Sequence, residues 1–417
     1  MKSKFCLTDA LSTITSEDSF TTDVFSAYFD CVRGYVIRKS KLCSRCVIKL
    51  AVYVDLDVIK KNILRIKTDV GVKVMLMVKA DAYGHGLCKV ARAVEDTVDA
   101  FGVATLEEGI ALRKSGIKKE ILVLACAPYE IVDLVENGLS FGLANFVMLS
   151  DLESLISARR IDAKEVKIHI AVDSGMHRLG FSESEVDRLT ERMKGIGLAP
   201  RGVYSHLRVR SYAQIRAFER VCDKIAEVYP SAVRHIASSH SCAVRRMRYD
   251  MVRLGIAAYK GAMTVESEVI AARQVQKGEF ISYGNYKAKQ ALNTAVVFGG
   301  YADGANRERP SAVYIRGREC RVLGRVCMDM CIVDCGDFLP EIGEKAILTS
   351  PETFSDTASQ RGSIEYTVMT CWRGRIERIY VNDKGGSEKN GKNCGSENER
   401  GRKRVGERRD MRRYERT

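Results

Sequence analysis

The chain has 417 residues, 46% of them hydrophobic, a length that suggests two or three domains and a core large enough to need no disulfide or structural metal. No run of about 18 apolar residues is present to cross a bilayer, and the first residues, with Asp9, Glu17 and Asp18, offer no apolar signal-peptide core, so a cytoplasmic protein without membrane contact is expected. The net charge of +14 raises nucleic-acid binding, but twelve Lys/Arg against seven Asp/Glu fall between Val381 and Thr417, a polar stretch that reads as a solvated basic tail rather than a nucleic-acid arm.

Residues 1–47 join no periodic pattern. Cys43 and Cys46 form a lone CxxC with no histidine close by, so no metal site is expected there. The fourteen cysteines are scattered and are expected to be reduced thiols. From Ile48 the texture changes. KLAVYVDLD alternates like a strand, and Val58–Ile66 reads as a helix. VKVMLMVK is a buried strand, with helical residues Lys89–Val94 after it. AFGVA, then the helix LEEGIALRKSG, and EILVLA, then the helix PYEIVDLVENG, repeat the theme. KIHIAVD, PRGVYSH and VRHIASS are further strands separated by helical stretches, and Val252–Tyr259 closes the series. About eight strand–helix units over about 215 residues predict an α/β fold, a (β/α)8 TIM-like barrel. Beyond Met263 short, Val/Ile-rich, Gly-broken segments predict a mostly β C-terminal domain. The expected organisation is an N-terminal extension at 1–47, a barrel at 48–263, a β-rich domain at 264–380 and a basic, disordered tail at 381–417.

In a parallel barrel the reactive groups sit at the C-terminal ends of the strands. Lys79, Arg178, His206, Ser239 and Arg253 fall there. Each alone reads as a surface charge or a structural polar group; five together are harder to dismiss. Lys79 is the most informative. An ammonium drawn toward an apolar strand is desolvated and its pKa falls, which makes it a candidate amine nucleophile toward carbonyl compounds. Gly84 and Gly86 allow a tight turn beside it, and the hydroxyl of Tyr83 is available to an anion.

The motifs VKADAYGHG, VDSGMHRLGF, GVYSHL, HIASS, MVRLGIAAY, ISYG, GGYADG, GRVCMDM and the stretch Tyr366–Arg375 occur in this order from Ile48 to about Tyr380. In that order the chain resembles the alanine racemase family, pyridoxal-phosphate enzymes built from a barrel and a β domain. The resemblance implies an isomerase that interconverts L- and D-alanine and supplies D-alanine for cell-wall peptidoglycan. It implies that Lys79 carries the cofactor and acts as one base, with Tyr283 as the opposing base, donated across a homodimer interface. It further implies that Arg253 faces the pyridine nitrogen, with His206 between it and Tyr283. Arg178 would meet the cofactor and the substrate carboxylate. Tyr83, Ser239, Tyr366 and the backbone of Gly255 and Ile256 match the phosphate cradle. Met328 and Asp329 would approach the substrate in the neighbouring subunit, and Tyr301 would line the approach to the site. No resident metal is implied.

The chain departs from the family pattern in places. Ala171 stands where most members have a lysine that orients the arginine matched by Arg178. Ser238 replaces an asparagine, His240-Ser-Cys242 replaces a run of small residues, and the segments after His206, before Arg273 and after Tyr283 are short. A racemase of broader range, including serine, a non-catalytic pyridoxal-phosphate-binding homologue, and a degenerate homologue that folds without turnover are therefore alternatives. The β domain argues against the non-catalytic binder, which is a barrel alone, and retained Lys79, Tyr283 and Arg253 argue against the degenerate one.

Overall fold

The structure, a computed structural model, describes residues 50–381 and the short strand at 387–389. The expectations for residues 1–47, including Cys43 and Cys46, and for most of the basic tail lie outside the described residues. Chain order runs β1 (Leu50–Asp55), α1 (Leu56–Val70), β2 (Lys73–Met77), α2 (Leu87–Val94), β3 (Ala100–Val103), α3 (Leu106–Lys114), β4 (Glu120–Val123), α4 (Ile131–Glu136), β5 (Ser140–Leu143) and α5 (Phe146–Ser157). It continues through β6 (Lys167–Ala171), α6 (Val186–Gly195), β7 (Gly202–Tyr204), α7 (Tyr212–Val228), β8 (Val233–His235), β9 (Met251–Leu254) and α8 (Ile256–Tyr259).

Strands β2 to β9 make one parallel sheet in the order β8-β7-β6-β5-β4-β3-β2-β9. Its edges meet where Arg253 N–H donates to the Ala237 carbonyl at 2.9 Å and Asp250 N–H to the Arg234 carbonyl at 3.2 Å. The sheet thus closes into a barrel. Its strands are buried almost throughout, as parallel strands covered by helices must be. Helix starts are capped by side-chain oxygens: Asp55 accepts from Val58 N–H, and Asn145 from Met148 N–H, so the connections are fixed locally.

The count of eight strands read from the sequence comes out right through two compensating differences. β1 does not belong to the barrel. It pairs antiparallel with β10 (Met263–Val275) and parallel with β16 (Glu377–Val381), and only Tyr53 and Asp55 of it are less than fully buried. The barrel strand absent from the sequence reading is β5, Ser-Phe-Gly-Leu. It has four residues and a serine and a glycine among them, too few apolar positions for either periodicity to show. Its Gly142 has a packing reason: a Cβ there would lie 2.3 Å from the Tyr204 hydroxyl.

The second domain is a nine-stranded sheet that adds β11 (Leu292–Phe298), β12 (Val313–Ile315), β13 (Arg318–Val322), β14 (Met330–Asp334) and β15 (Lys345–Thr349). β10 pairs with β15 and β1 through its first half and with β11 through its second. That double pairing closes β10, β11, β14, β13, β12 and β15 into a small barrel. Two helices the sequence reading did not separate, α9 (Phe354–Gln360) and α10 (Glu365–Thr370), follow. Strand β17 (Ser387–Lys389) pairs with β16, so the sheet continues into the segment read as a disordered tail. One hydrophobic core runs from the barrel into this domain, joining Met75, Phe101 and Leu254 to Val265, Val297 and Trp372.

Candidate active site

A cavity of about 1100 Å³ opens at the C-terminal ends of the barrel strands, and its lining includes Lys79, Arg178, His206, Ser239, Arg253 and Tyr366. Tyr83, Gly255 and Ala171 line it as well. The sequence-derived candidates of the barrel thus meet in one place, with Ile256 next to Gly255 at the start of α8.

Lys79 follows β2 and opens an unusual turn. Ala80, Asp81, Ala82 and Tyr83 hold φ of 53°, 57°, 53° and 54°, a left-handed turn of side-chain-bearing residues that would not persist alone. Both flanks hold it. The Glu108 carboxylate accepts from Ala80 N–H at 2.6 Å and from Ala104 N–H at 2.8 Å. Asp81 accepts from Leu87 N–H at 2.7 Å and pairs with the buried Arg378 of β16 at 2.9 Å. Arg378 also donates to the Gly84 carbonyl at 2.9 Å. Gly84 and Gly86 serve the approach of the second domain: a Cβ on Gly84 would lie 2.3 Å from the Met369 carbonyl oxygen, and one on Gly86 1.8 Å from the Tyr380 hydroxyl. Glu108 and Arg378 were not legible as site residues, since each sits in an ordinary charged context of helix or strand.

Burial first, then the charge of Arg178, lowers the Lys79 ammonium from its ordinary value, with Glu108 opposing and Arg253 adding to the effect. Arg253 is buried and pinned. It donates from Nη1 to the His235 carbonyl at 2.7 Å and to His235 Nδ1 at 3.0 Å, and from Nη2 to the carbonyls of Ser205 at 2.6 Å and Ile236 at 3.3 Å. Burial brings its pKa down to about 10, so it stays charged at neutral pH. His206 is pushed down to about 4 by burial and by Arg253, Arg178 and Lys79, so it is neutral. Arg178 is exposed at the cavity wall and makes no hydrogen bond or ion pair among the described residues. Ala171, which lines the same cavity, has no side-chain group to bridge the guanidinium.

Hydroxyl groups gather in the same lining. Tyr83 stacks on Tyr259 at 5.0 Å and lies 5.9 Å from Tyr366, ring to ring; burial, then Tyr366, raises its phenol to about 12. Ser239 Oγ accepts from Gly255 N–H at 2.9 Å and Ala257 N–H at 3.3 Å. Gly255 lacks the Cβ that would sit 2.5 Å from the Tyr83 hydroxyl. His240, a departure from the family pattern, stands beside Tyr366, its Nδ1 3.4 Å from the phenol oxygen.

Four candidates lie elsewhere on a single chain. Tyr283 is 60% exposed, Met328 54% and Tyr301 39%, and with Asp329 they are absent from the cavity lining. They share neighbouring segments of the second domain: Tyr283 bridges Arg325, Tyr301 N–H donates to the Cys327 carbonyl at 3.0 Å, and Arg307 covers both tyrosine rings. Asp329 pairs with Arg375, which is held in turn by the buried Asp303 at 2.8 Å.

The donor set suits a small anionic cofactor with an aldehyde. The cavity lining brings together an amine of lowered basicity, hydroxyls with a serine-braced backbone turn, and a fixed cation. Fold and site together define a barrel enzyme with a reactive amine at the C-terminal end of its strands. Comparison with known proteins specifies the class. Residues 54–263 match the alanine racemase N-terminal domain family and residues 262–380 the alanine racemase C-terminal domain family. The chain is 31% identical over 364 residues to the alanine racemase of Streptococcus pyogenes serotype M5 (strain Manfredo), covering 78% of this chain and 97% of that protein. It is 31% identical over 377 residues to that of Desulfosudis oleivorans, covering 79% and 96%. The structure of alanine racemase from Clostridium difficile 630 superposes with a TM-score of 0.76 at 27% identity, covering 83% of this chain and 99% of that one. The chain belongs to the alanine racemase family. It is accordingly a pyridoxal-phosphate-dependent isomerase that interconverts the enantiomers of alanine.

Two measurements test this geometry. Arg378→Met removes the partner of Asp81 and the donor to Gly84, and leaves a carboxylate and a carbonyl against an apolar chain. Loss of about 3 kcal/mol of stability in urea unfolding is expected, with weaker retention of the cofactor because the turn after Lys79 loses one flank.

His85 and His206 are both held near 4, chiefly by burial, below the ordinary value of about 6.5. Above that value neither state binds the proton. Below it the unfolded chain takes up protons that the folded chain refuses, so stability falls as pH drops from about 6.5 toward 4. The loss of stability between about pH 7 and about pH 4.5 should be smaller in His206→Asn than in the parent chain.

Proposed function

We propose that the chain racemises alanine with two bases on opposite sides of Cα, one from each of two copies. The observation that carries this reading is the meeting of Lys79, Arg178, His206 and Arg253 in one cavity while Tyr283 stays exposed on the second domain. Bound to an amino acid, pyridoxal phosphate draws electrons from Cα and makes its proton acidic. The residues of the chain do the rest. A single fixed base tends to return a proton to the face it came from, so inversion calls for a second base. Lys79, lowered in basicity, serves one face. Tyr283 of a second copy serves the other, with the neutral His206 available to exchange a hydrogen bond with its phenol.

Arg253 would face the ring nitrogen of the bound cofactor, and a guanidinium with a pKa of about 10 does not surrender its proton at neutral pH. It would thereby leave the ring a weaker electron sink and limit side reactions. Arg178 holds the substrate carboxylate. Tyr83, Ser239, Tyr366, Gly255 and Ile256 hold the phosphate. The homodimer is supported by the exposed Tyr283, Tyr301 and Met328 on adjoining segments, an apolar set of the kind that marks a contact surface. The partner's Met328 and Asp329 would then approach the substrate, and Tyr301 the way in. We place the enzyme in the cytoplasm, supported by the nine cysteines of the described residues, all free thiols, and its product in peptidoglycan synthesis.

Replacing either base should act on one face only. In Tyr283→Phe, exchange of the Cα proton with solvent deuterium should persist for one enantiomer and drop for the other. Equal rates for both would show that the phenol is not a base.

Subunit mixing tests the shared site. Lys79→Ala and Tyr283→Phe chains, each inactive alone, should recover activity when mixed, up to about one complete site per hybrid dimer. No recovery after verified subunit exchange would mean that each chain builds its own site.

A further inference from the structure

Behind Arg253 a chain of polar side chains crosses the barrel interior to its opposite end. His235 Nδ1 lies 3.0 Å from Arg253 Nη1. His235 Nε2 lies 2.9 Å from His169 Nδ1. His169 Nε2 lies 3.2 Å from Glu120 Oε1, and Ser140 Oγ donates to the same oxygen at 2.7 Å. His169 is 1% and His235 0% exposed. Glu120 and Ser140 are the first residues of β4 and β5, at the end of the barrel away from the cavity.

The interior is shaped to admit this chain. A Cβ on Gly202 would lie 2.5 Å from His169 Nδ1, so the first position of β7 is left bare for the imidazole. Tyr204 stacks on His235 with ring centroids 5.4 Å apart, and Gly142 is bare to receive the Tyr204 hydroxyl.

The direction of each hydrogen bond follows from the ends. A guanidinium only donates, so His235 Nδ1 must accept, and the proton of a neutral His235 sits on Nε2. That proton is given to His169 Nδ1, so His169 carries its own proton on Nε2 and gives it to Glu120. Starting from the other end gives the same answer, because a carboxylate only accepts. Burial would raise the Glu120 carboxyl, but the hydrogen bonds from His169 and Ser140 and the charge of Arg201 outweigh it and hold the group near about 2. Burial, then Arg253, keeps His235 well below the ordinary histidine value. Cation and anion therefore enforce one arrangement, and each bond polarises the next.

We propose that Glu120 is a positioning residue for Arg253: acting through His169 and His235 across the barrel, it fixes which imidazole nitrogens carry protons, so that His235 always offers the guanidinium an acceptor. Without the carboxylate, His169 has no fixed acceptor and both imidazoles can reverse. A reversed His235 turns an N–H toward the Arg253 N–H, and the guanidinium loses one of its holds. The consequence for turnover rests on the role given to Arg253 in catalysis; the proton arrangement does not.

The chain has six histidines, few enough to assign one at a time by substitution in 15N NMR of the histidine-labelled full-length holoenzyme. His169 and His235 should each be neutral with the proton on Nε2. A proton on Nδ1 of His235, or an imidazolium at His169, overturns the proposal. Glu120→Met should give mixed tautomers at both positions and a lower kcat with little change in KM. Glu120→Gln, whose amide oxygen still accepts, should restore the single tautomers and most of kcat. A single His235 tautomer in Glu120→Met would mean that Arg253 sets it alone and overturns the role of Glu120. Mixed tautomers with unchanged kcat would support the relay and overturn instead the role given to Arg253. Should Glu120→Met fail to fold, Gly202→Ala, which displaces His169 from the other side, should produce the same mixed signals at His235, and an unchanged His235 would count against the relay.

Discussion

Four consecutive residues with side chains, Ala80 to Tyr83, lie in the left-handed region, each at a cost of roughly 1–2 kcal/mol. A turn of that kind exists only where its surroundings determine it more strongly than its own preferences oppose it. Glu108 from the barrel helix α3 and Arg378 from the second sheet supply those surroundings. The result sets Lys79 just after β2 and Tyr83 in the same cavity lining, against Tyr259 and near Tyr366. The position of the amine and of the hydroxyl cluster is thus one structural fact. It explains why the second domain is part of the site even on one chain: β16 and α10 bear directly on the turn that carries the lysine.

Electrostatics follows from the same placement. Lys79, Arg178 and Arg253 crowd a part-buried cavity without a carboxylate in its immediate lining except Asp173, which is occupied with the backbone N–H groups of Gly175, Met176 and His177. Burial, and then Arg178 and Arg253, lower Lys79, and burial with the same cations and Lys79 drives His206 neutral. Such a site favours an anionic ligand, eases release of a proton from the amine and keeps the imidazole neutral. The negative charge that answers Arg253 stands at the far end of the barrel, on Glu120, reached only through two imidazoles. Separating them leaves the guanidinium's charge available to the cavity while its orientation is held from behind.

Much of this was legible in the sequence for a physical reason. A lysine at the end of a buried strand, followed by small residues and glycines, marks a candidate desolvated amine beside a tight turn, and the barrel places Arg178, His206, Ser239 and Arg253 at the same end by topology. Other features left no local signal. The strand Ser140–Leu143 is short and half its residues are serine and glycine, since Gly142 is shaped by Tyr204 and not by strand propensity. β1 reads like a barrel strand but pairs with β10 and β16 in the other sheet. Glu120, His169 and His235 are scattered over three separate strands, and only closure of the barrel brings them into line. Tyr283, Tyr301 and Met328 were reached through resemblance of motifs, for their surroundings on one chain reveal exposure and nothing of what they meet.

The central claim is that the turn after β2 makes Lys79, and no other lysine of the chain, the residue that holds the cofactor. Borohydride reduction of the purified holoenzyme followed by peptide mapping tests it directly. The account predicts a pyridoxyl label on the peptide that contains Lys79 and on no other. A label on a different lysine would contradict it.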